Sequence, residues 1–227
     1  GETLASAVTG NDISPRKVVS VPHGCAPELL AFGADRAASL NTKSPVFGFA
    51  GSLTQYEGLQ DLFEALLTPT LAHARLIIMG DGPYAFQLKA LETARRLGDR
   101  LDWRPPGDRV SVGKMLSSVD LAVYPRAQSQ VCQIVPPLKT LDAFATRTPC
   151  VMSDVPALRD LARDGAYGWL APPNDPAGLA RVLAEALENA EQTRQRADTA
   201  YTWCKKSGLW SQTTNELAML LQHGELA

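Results

Sequence analysis

The 227-residue sequence contains no run of about 18 apolar residues, so nothing in it reads as a membrane-spanning helix. It has almost no net charge: 22 Lys and Arg stand against 24 Asp and Glu, giving −2 at pH 7. That balance removes the electrostatic footprint of a nucleic-acid binder or of a protein drawn to an anionic membrane. Cysteine is scarce. Cys25, Cys132, Cys150 and Cys204 lie far apart, without the spacing of a zinc site or a redox pair. They are expected to be reduced thiols, which points to a cytoplasmic location. Of the three histidines, none has a neighbouring Ser or Cys that reads as a nucleophile. A P-loop and the G-x-G-x-x-G fingerprint are both missing, as is an Asp-x-Asp motif, so no metal site is expected. The opening GETLASAV lacks a basic n-region and does not read as a signal peptide.

The 45% hydrophobic content is ordinary for a globular chain, and the length allows one sizeable core. A helix is expected over 2–9 and a strand in RKVVSVPHG, followed by a polar connection over 25–44. From Pro45 the pattern becomes regular. VFGFAG is a buried strand that ends in Gly51, and Leu59, Leu62, Phe63 and Leu66 mark one face of a helix. ARLIIMG is a second strand, closed by Gly80-Asp81-Gly82. Pro83 opens a helix to about Leu97, with Phe86, Leu88 and Leu91 on its apolar side and Gly98 at its end. A strand follows at 101–104, then a helix around Val112, Met115 and Leu116. The stretch 119–154 reads as strand (121–124), long polar loop, helix after Pro136-Pro137, and strand (149–152). Then come a helix over 157–162, a short strand over 167–170, and a helix with Asp175 as N-cap and Pro176 at its first position. Two further helical segments cover about 190–205 and 209–222.

Strands and helices alternate about six times. This predicts an α/β fold: a doubly wound, Rossmann-like parallel sheet with helices on both faces. Right-handed crossovers put the strand-end loops at 51–58, 80–83, 104–109 and 125–137 on one edge, where such sheets bind ligands. Gly51 leaves room there for a close approach to the backbone. Gly80-Asp81-Gly82 reads either as a ligand contact or as a simple strand-to-helix turn. Arg126 could clamp a diphosphate with its fork, or be a solvated loop cation. Lys139 and Asp142, three apart on one helix, could pair at the surface. Asp142 could instead hold ribose hydroxyls. Gln133, being neutral, could position a sugar hydroxyl but not act as a base.

Several blocks together carry a resemblance: KVVSVPHG, VFGFAGSLTQYEGLQDLFEAL, ARLIIMGDGP, LAVYPRAQSQVCQIVPPLKTLDAFATRTPCVMSDVPALRDL and DGAYGWLAPPNDPAGLARVL. Five such blocks in this order and spacing resemble the C-terminal, donor-binding domain of a GT-B fold glycosyltransferase of the retaining family 4 type, from Lys17 to the end. The resemblance implies a nucleoside diphosphate sugar (UDP- or GDP-sugar) as donor, with no cofactor and no metal, and retaining transfer of a hexosyl group to an acceptor. By position, Asp142 falls where the family holds the ribose and Gln133 where it touches the donor sugar. Gly51, Ser52, Ile134 and Val135 complete the substrate-binding set, and Arg126 and Lys139 are the catalytic cations.

The chain departs from the family pattern at telling places. Ser52 and Glu57 stand where many members carry a diphosphate-binding Arg and Lys. Gln133 replaces an acid, and Pro105-Pro106-Gly107 replaces the base-binding loop. Glu57 is expected to repel a leaving diphosphate, whose developing charge such sites stabilise with cations. The alternative reading is therefore a catalytically degenerate binding or scaffold module, and a more distant one is a sugar-nucleotide epimerase. The resemblance divides the chain into 1–16, the tail of or linker from a missing N-terminal domain of the same enzyme, 17–207, the nucleotide-sugar domain, and 208–227, a helix returning to that missing partner. Transfer by this half alone is not expected. Peripheral membrane contact stays open.

Overall fold

The computed structural model describes residue 6, residues 23–36 and residues 40–222. The helix expected over 2–9 lies outside the described residues apart from Ser6, and so does most of the strand expected in RKVVSVPHG.

Six strands form one parallel sheet: β1 (Val46–Ala50), β2 (Arg75–Met79), β3 (Leu101–Arg104), β4 (Leu121–Tyr124), β5 (Cys150–Ser153) and β6 (Trp169–Ala171). Their order is β3-β2-β1-β4-β5-β6. Strands covered on both faces should read as continuous apolar runs rather than alternations. VFGFA, LIIM and LAVY do so, and Phe47, Phe49, Ile78, Leu121 and Tyr124 are fully buried.

The helices divide between the two faces. α2 (Leu59–Leu66), α4 (Glu92–Leu97) and α9 (Pro176–Glu188) contact one another on one side. On the other, α1 (Leu30–Ala34), α5 (Arg109–Ser118), α7 (Lys139–Ala145) and α10 (Ala190–Ser207) form a second group. This is the expected doubly wound sheet. Local chemistry sets the helix starts. Asp175 accepts from the Gly178 amide at 2.9 Å ahead of Pro176, and Asp108 accepts from the Ser111 amide at 2.8 Å. Each supplies an acceptor to an amide with no partner inside its helix. A last helix, α11 (Trp210–Gln222), follows Gly208.

Three local expectations need correction. The connection at 25–44 contains a 3-10 turn (Pro27–Leu29) running into α1. It is held by a half-buried anchor: Arg36 donates to Leu116 O at 2.9 Å and to the Thr148 hydroxyl at 3.1 Å. The helix expected to run unbroken to Leu97 is two, α3 (Ala85–Ala90) and α4, because Leu91 leaves the helical region with ψ at 142°. The turn this makes leaves Phe86, assigned to the apolar side, 82% exposed. The long polar loop after β4 contains a one-turn helix, α6 (Gln130–Ile134), capped by Ser129.

Candidate functional site

The sheet reverses its strand order between β1 and β4, so the loops after these two strands diverge and leave a crevice at their carboxyl ends. The expected convergence of loops is present and is stitched by backbone hydrogen bonds. Gly51 N donates to Met79 O at 3.0 Å, Leu53 N to Asp81 O at 2.9 Å, Gly80 N to Arg104 O at 3.1 Å and Ala127 N to Tyr56 O at 2.9 Å. Gly58, at φ 69°, allows the loops after β1 and β4 to approach closely: a Cβ there would lie 1.9 Å from Pro125 O. The Gly80-Asp81-Gly82 turn serves the same stitching. A Cβ on Gly80 would lie 1.9 Å from Gly51 O, so this glycine lets the turn pack against the loop after β1.

Three charged side chains from different elements meet in the crevice. Glu57 ends the 3-10 turn Gln55–Glu57, Arg126 follows β4 by two residues, and Lys139 is the first residue of α7. Lys139 Nζ lies 2.7 Å from Glu57 Oε1, and Arg126 Nη2 lies 3.5 Å from the same oxygen. Glu57 and Arg126 are 2% and 4% exposed, so this is a desolvated cluster rather than a surface ion pair. Its frame is rigid. Arg126 Nη1 donates to Val135 O at 2.8 Å, and the buried Tyr124 hydroxyl donates to the Lys139 carbonyl at 3.0 Å. The ring of Phe49 lies 4.7 Å from Lys139 Nζ, and that of Tyr56 lies 5.3 Å from the Arg126 guanidinium. Burial pulls the Lys139 pKa down, and the Glu57 charge beside it opposes that pull. The Glu57 Oε2 and Arg126 Nε atoms are buried without a hydrogen-bond partner among the described residues.

This geometry changes three expectations. Glu57 was expected to face a ligand as a bare repelling charge; instead its carboxylate is bound by two cations, and the cluster sums to +1. The room at Gly51 is taken up by Lys139, since a Cβ there would lie 2.8 Å from Lys139 Cε. Lys139 and Asp142 do not form the surface pair their spacing allowed. Lys139 turns to Glu57, whereas Asp142 lies on the side of α7 nearer Arg109 and Glu28. Burial is the largest cause that pushes the Asp142 pKa up to about 6; Arg109 opposes it and Glu28 adds to it.

The structure thus joins Gly51, Arg126, Lys139 and, through its carbonyl, Val135. Ser52 is exposed on the loop after β1, and Gln133 and Ile134 are half-buried on α6. Among the described residues no group of three or more His, Cys, Asp or Glu could hold a metal ion. Sequence reasoning did not foresee the role of Asn174, whose Oδ1 accepts from the Gln128 amide at 2.6 Å and ties down the loop after β4. Its φ of 56° is permitted by the short Asn side chain, and the Asn-Asp-Pro triplet was the one sign of it.

A six-stranded parallel sheet with this strand order, covered by helices on both faces, is a Rossmann-like α/β domain of the kind found in GT-B glycosyltransferases. Residues 33–203 match the family Glycosyl transferases group 1, and the chain belongs to it. The D-inositol 3-phosphate glycosyltransferase of Corynebacterium efficiens is 28% identical over all of this chain and 55% of its own length. The alpha-D-kanosaminyltransferase of Streptomyces kanamyceticus is 26% identical over 69% of this chain and 40% of its own length. The chain therefore spans about half the length of these relatives. Among solved structures, a glycosyltransferase from Rickettsia africae superposes with a TM-score of 0.80 at 11% identity, over 98% of this chain and 61% of its own. HepE of Anabaena, solved in complex with UDP and glucose, superposes at 0.76 and 16% identity, over 96% and 60%.

Proposed function

We propose that this chain is the donor-binding domain of a retaining glycosyltransferase of the family 4 type that transfers a hexosyl group from a nucleoside diphosphate sugar. The observation that carries the proposal is the convergence of Arg126 and Lys139 on the buried Glu57 at the β1/β4 switch point, with the chain's membership of the family behind it. Two desolvated cations held by a rigid frame suit a diphosphate leaving group. They are aimed before charge develops, so little reorganisation opposes departure. Arg126 offers its free Nε–H, and Lys139 offers an ammonium turned toward the Gly51 backbone.

In this reading Asp142 accepts from the ribose hydroxyls, Gln133 and the Ile134–Val135 backbone orient the sugar, and Gly51 and Ser52 line the diphosphate side. The anomeric configuration is kept because the leaving diphosphate and the incoming acceptor occupy the same face. That HepE binds UDP and UDP-glucose supports a UDP-sugar donor ahead of a GDP-sugar. A cytoplasmic setting fits such a donor; among the described residues no helix is long and apolar enough to cross a membrane. The acceptor, and groups that act on it, belong to the other half of the enzyme.

The second reading, a degenerate binding module, rested on Ser52, Glu57 and Gln133. It loses Glu57, whose charge is already balanced. The test is a calorimetric titration of the chain with UDP, GDP and ADP. Saturable binding of one of them, abolished in Arg126→Ala and Asp142→Ala, is expected. Binding of none would refute the donor-site assignment.

A further inference from the structure

Among the cations of the donor site, on whose reading this inference rests, stands one acid, Glu57. A carboxylate beside a diphosphate is an electrostatic cost, yet this one is 2% exposed, is anchored at the start of α2, and reaches both cations through a single oxygen. A purely structural role needs no such placement. An apolar side chain would fill the space without desolvating three charges, and buried ion clusters are often no more stable than apolar replacements of equal volume. The position also differs from a surface counter-ion. Glu57 approaches from the β1 loop, whereas Arg126 and Lys139 come from the far side of the switch point, after β4 and at the head of α7. Among the described residues it is the one side chain ion-paired to both cations.

We infer that Glu57 is a positioning residue that holds Lys139 and Arg126 side by side across the crevice and sets the site at +1 rather than +2, so that a nucleoside diphosphate is bound strongly enough to leave the sugar yet released after transfer. Glu57 touches no reacting atom. It acts through Lys139, keeping that ammonium charged against its burial. The charged and titratable groups facing Lys139 are Glu57, the Arg126 guanidinium and the Cys132 thiol, with the Phe49 ring beneath it. Burial and Arg126 favour loss of the Lys139 proton; Glu57 is the largest influence opposing it.

Glu57→Gln keeps the shape and removes the charge, so it separates these roles. While Lys139 keeps its proton, loss of the negative charge should tighten UDP (or whichever nucleoside diphosphate binds) about tenfold. Lys139 should then lose its proton at a lower pH than in the unaltered protein. Affinity in Glu57→Gln should therefore fall away with rising pH earlier than in the unaltered chain. Glu57→Asp, which keeps the charge, should keep the unaltered pH profile. The experiment is calorimetric titration of the unaltered chain, Glu57→Gln and Glu57→Asp with UDP, GDP and ADP between pH 6 and 10. The Lys139 ionisation is followed in the free proteins by NMR of labelled lysine side chains, and melting temperature reports on the fold. Tighter binding at the acid end of that range with an earlier alkaline loss, and a lowered Lys139 pKa, is the expected result. Unchanged or uniformly weaker affinity with an unmoved Lys139 pKa overturns the role of Glu57 and leaves the donor site standing. No binding by the unaltered chain overturns the donor reading, and the Glu57 inference falls with it. If Glu57→Gln does not fold, Glu57→Asp decides the matter, since an altered pH profile there contradicts a role exerted through charge.

Discussion

Asp142 is the residue at which function and stability pull apart most clearly. Its carboxyl is largely buried, and its pKa is pushed up to about 6 with burial as the leading cause. A folded pKa above the unfolded value of 3.8 means that the folded state binds the proton more tightly. Stability then falls as pH rises from about 4 to about 6, and the charged carboxylate remains a cost above that. At roughly 1.4 kcal/mol per unit the cost approaches about 3 kcal/mol at neutral pH, an upper figure because the group keeps some contact with water. Asp142→Asn is therefore expected to melt higher than the unaltered chain at pH 7.5, with the difference vanishing near pH 4. The same variant should bind nucleoside diphosphate more weakly, because an amide offers one acceptor oxygen where a carboxylate offers two charged ones. Thermal scans across pH, run beside calorimetric titrations, check both halves. Lys139 should behave in the opposite manner. Lys139→Met leaves the Glu57 carboxylate buried beside Arg126 alone, at 3.5 Å. Truncating one partner of a buried pair costs about 3–5 kcal/mol, and the retained Arg126 places this variant at the low end, about 3 kcal/mol by guanidinium chloride denaturation. The sequence displayed Arg126, Lys139 and Glu57 as charges, but not their arrangement. Glu57 read as a liability because its partners are 69 and 82 residues further along the chain, a pairing that only the crossover between β1 and β4 creates.

Among the elements, the strands were the most legible in the sequence. The inner strands β1, β2, β4 and β5 are covered on both faces, so their residues are mostly apolar without alternation, and the boundaries of β1 and β4 agree with the expected ones to within a residue. Helices with a chemical start signal were equally plain, as at Asp175-Pro176. Short elements without such signals were not. α6 is five residues long and shows no periodicity, and its Ser129 cap is a residue type equally common in loops. The break between α3 and α4 lies at Leu91, a residue with no tendency to break helices, and is imposed by packing. The loops at the site depend on a different element-level feature, the left-handed Gly58, which opens α2 and lies against Pro125. Gly58→Ala would place a methyl 1.9 Å from the Pro125 carbonyl and strain the backbone by about 1 kcal/mol or more. It should separate the loop after β1 from the loop after β4, and with them Glu57 from its two cations. The expected outcome is a folded but destabilised protein with nucleotide affinity lowered at least tenfold. Asp175→Ala, which removes a helix cap away from the ion cluster, is the companion control. It should lower stability by about 1 kcal/mol and leave binding unchanged. Paired melting and titration experiments on the two variants separate loss of the site from loss of the helix.

For the whole molecule, the consequence turns on where the crevice opens. Every group of the proposed donor site comes from one sheet edge and is assigned to the diphosphate, the ribose or the donor sugar; none of them, among the described residues, is assigned to activate an acceptor. Leaving-group cations alone assist departure of the diphosphate, but transfer also requires an acceptor hydroxyl held in line with the anomeric carbon, and holding two reactants together accounts for a large part of such rate enhancements. The curated relatives carry roughly as much chain again as this one. The 227-residue chain by itself is accordingly expected to bind nucleoside diphosphate and its sugar conjugate with similar affinity, since the contacts proposed lie on the diphosphate and ribose. Transfer to simple sugar or inositol acceptors should be undetectable. Chromatographic assay for transferred sugar, in samples shown by calorimetry to be saturated with donor, gives the answer. Sustained transfer by the chain alone would place the acceptor site on this half as well, and would move the search for it to the exposed apolar side chains Val131, Val135 and Leu138 beside the ion cluster.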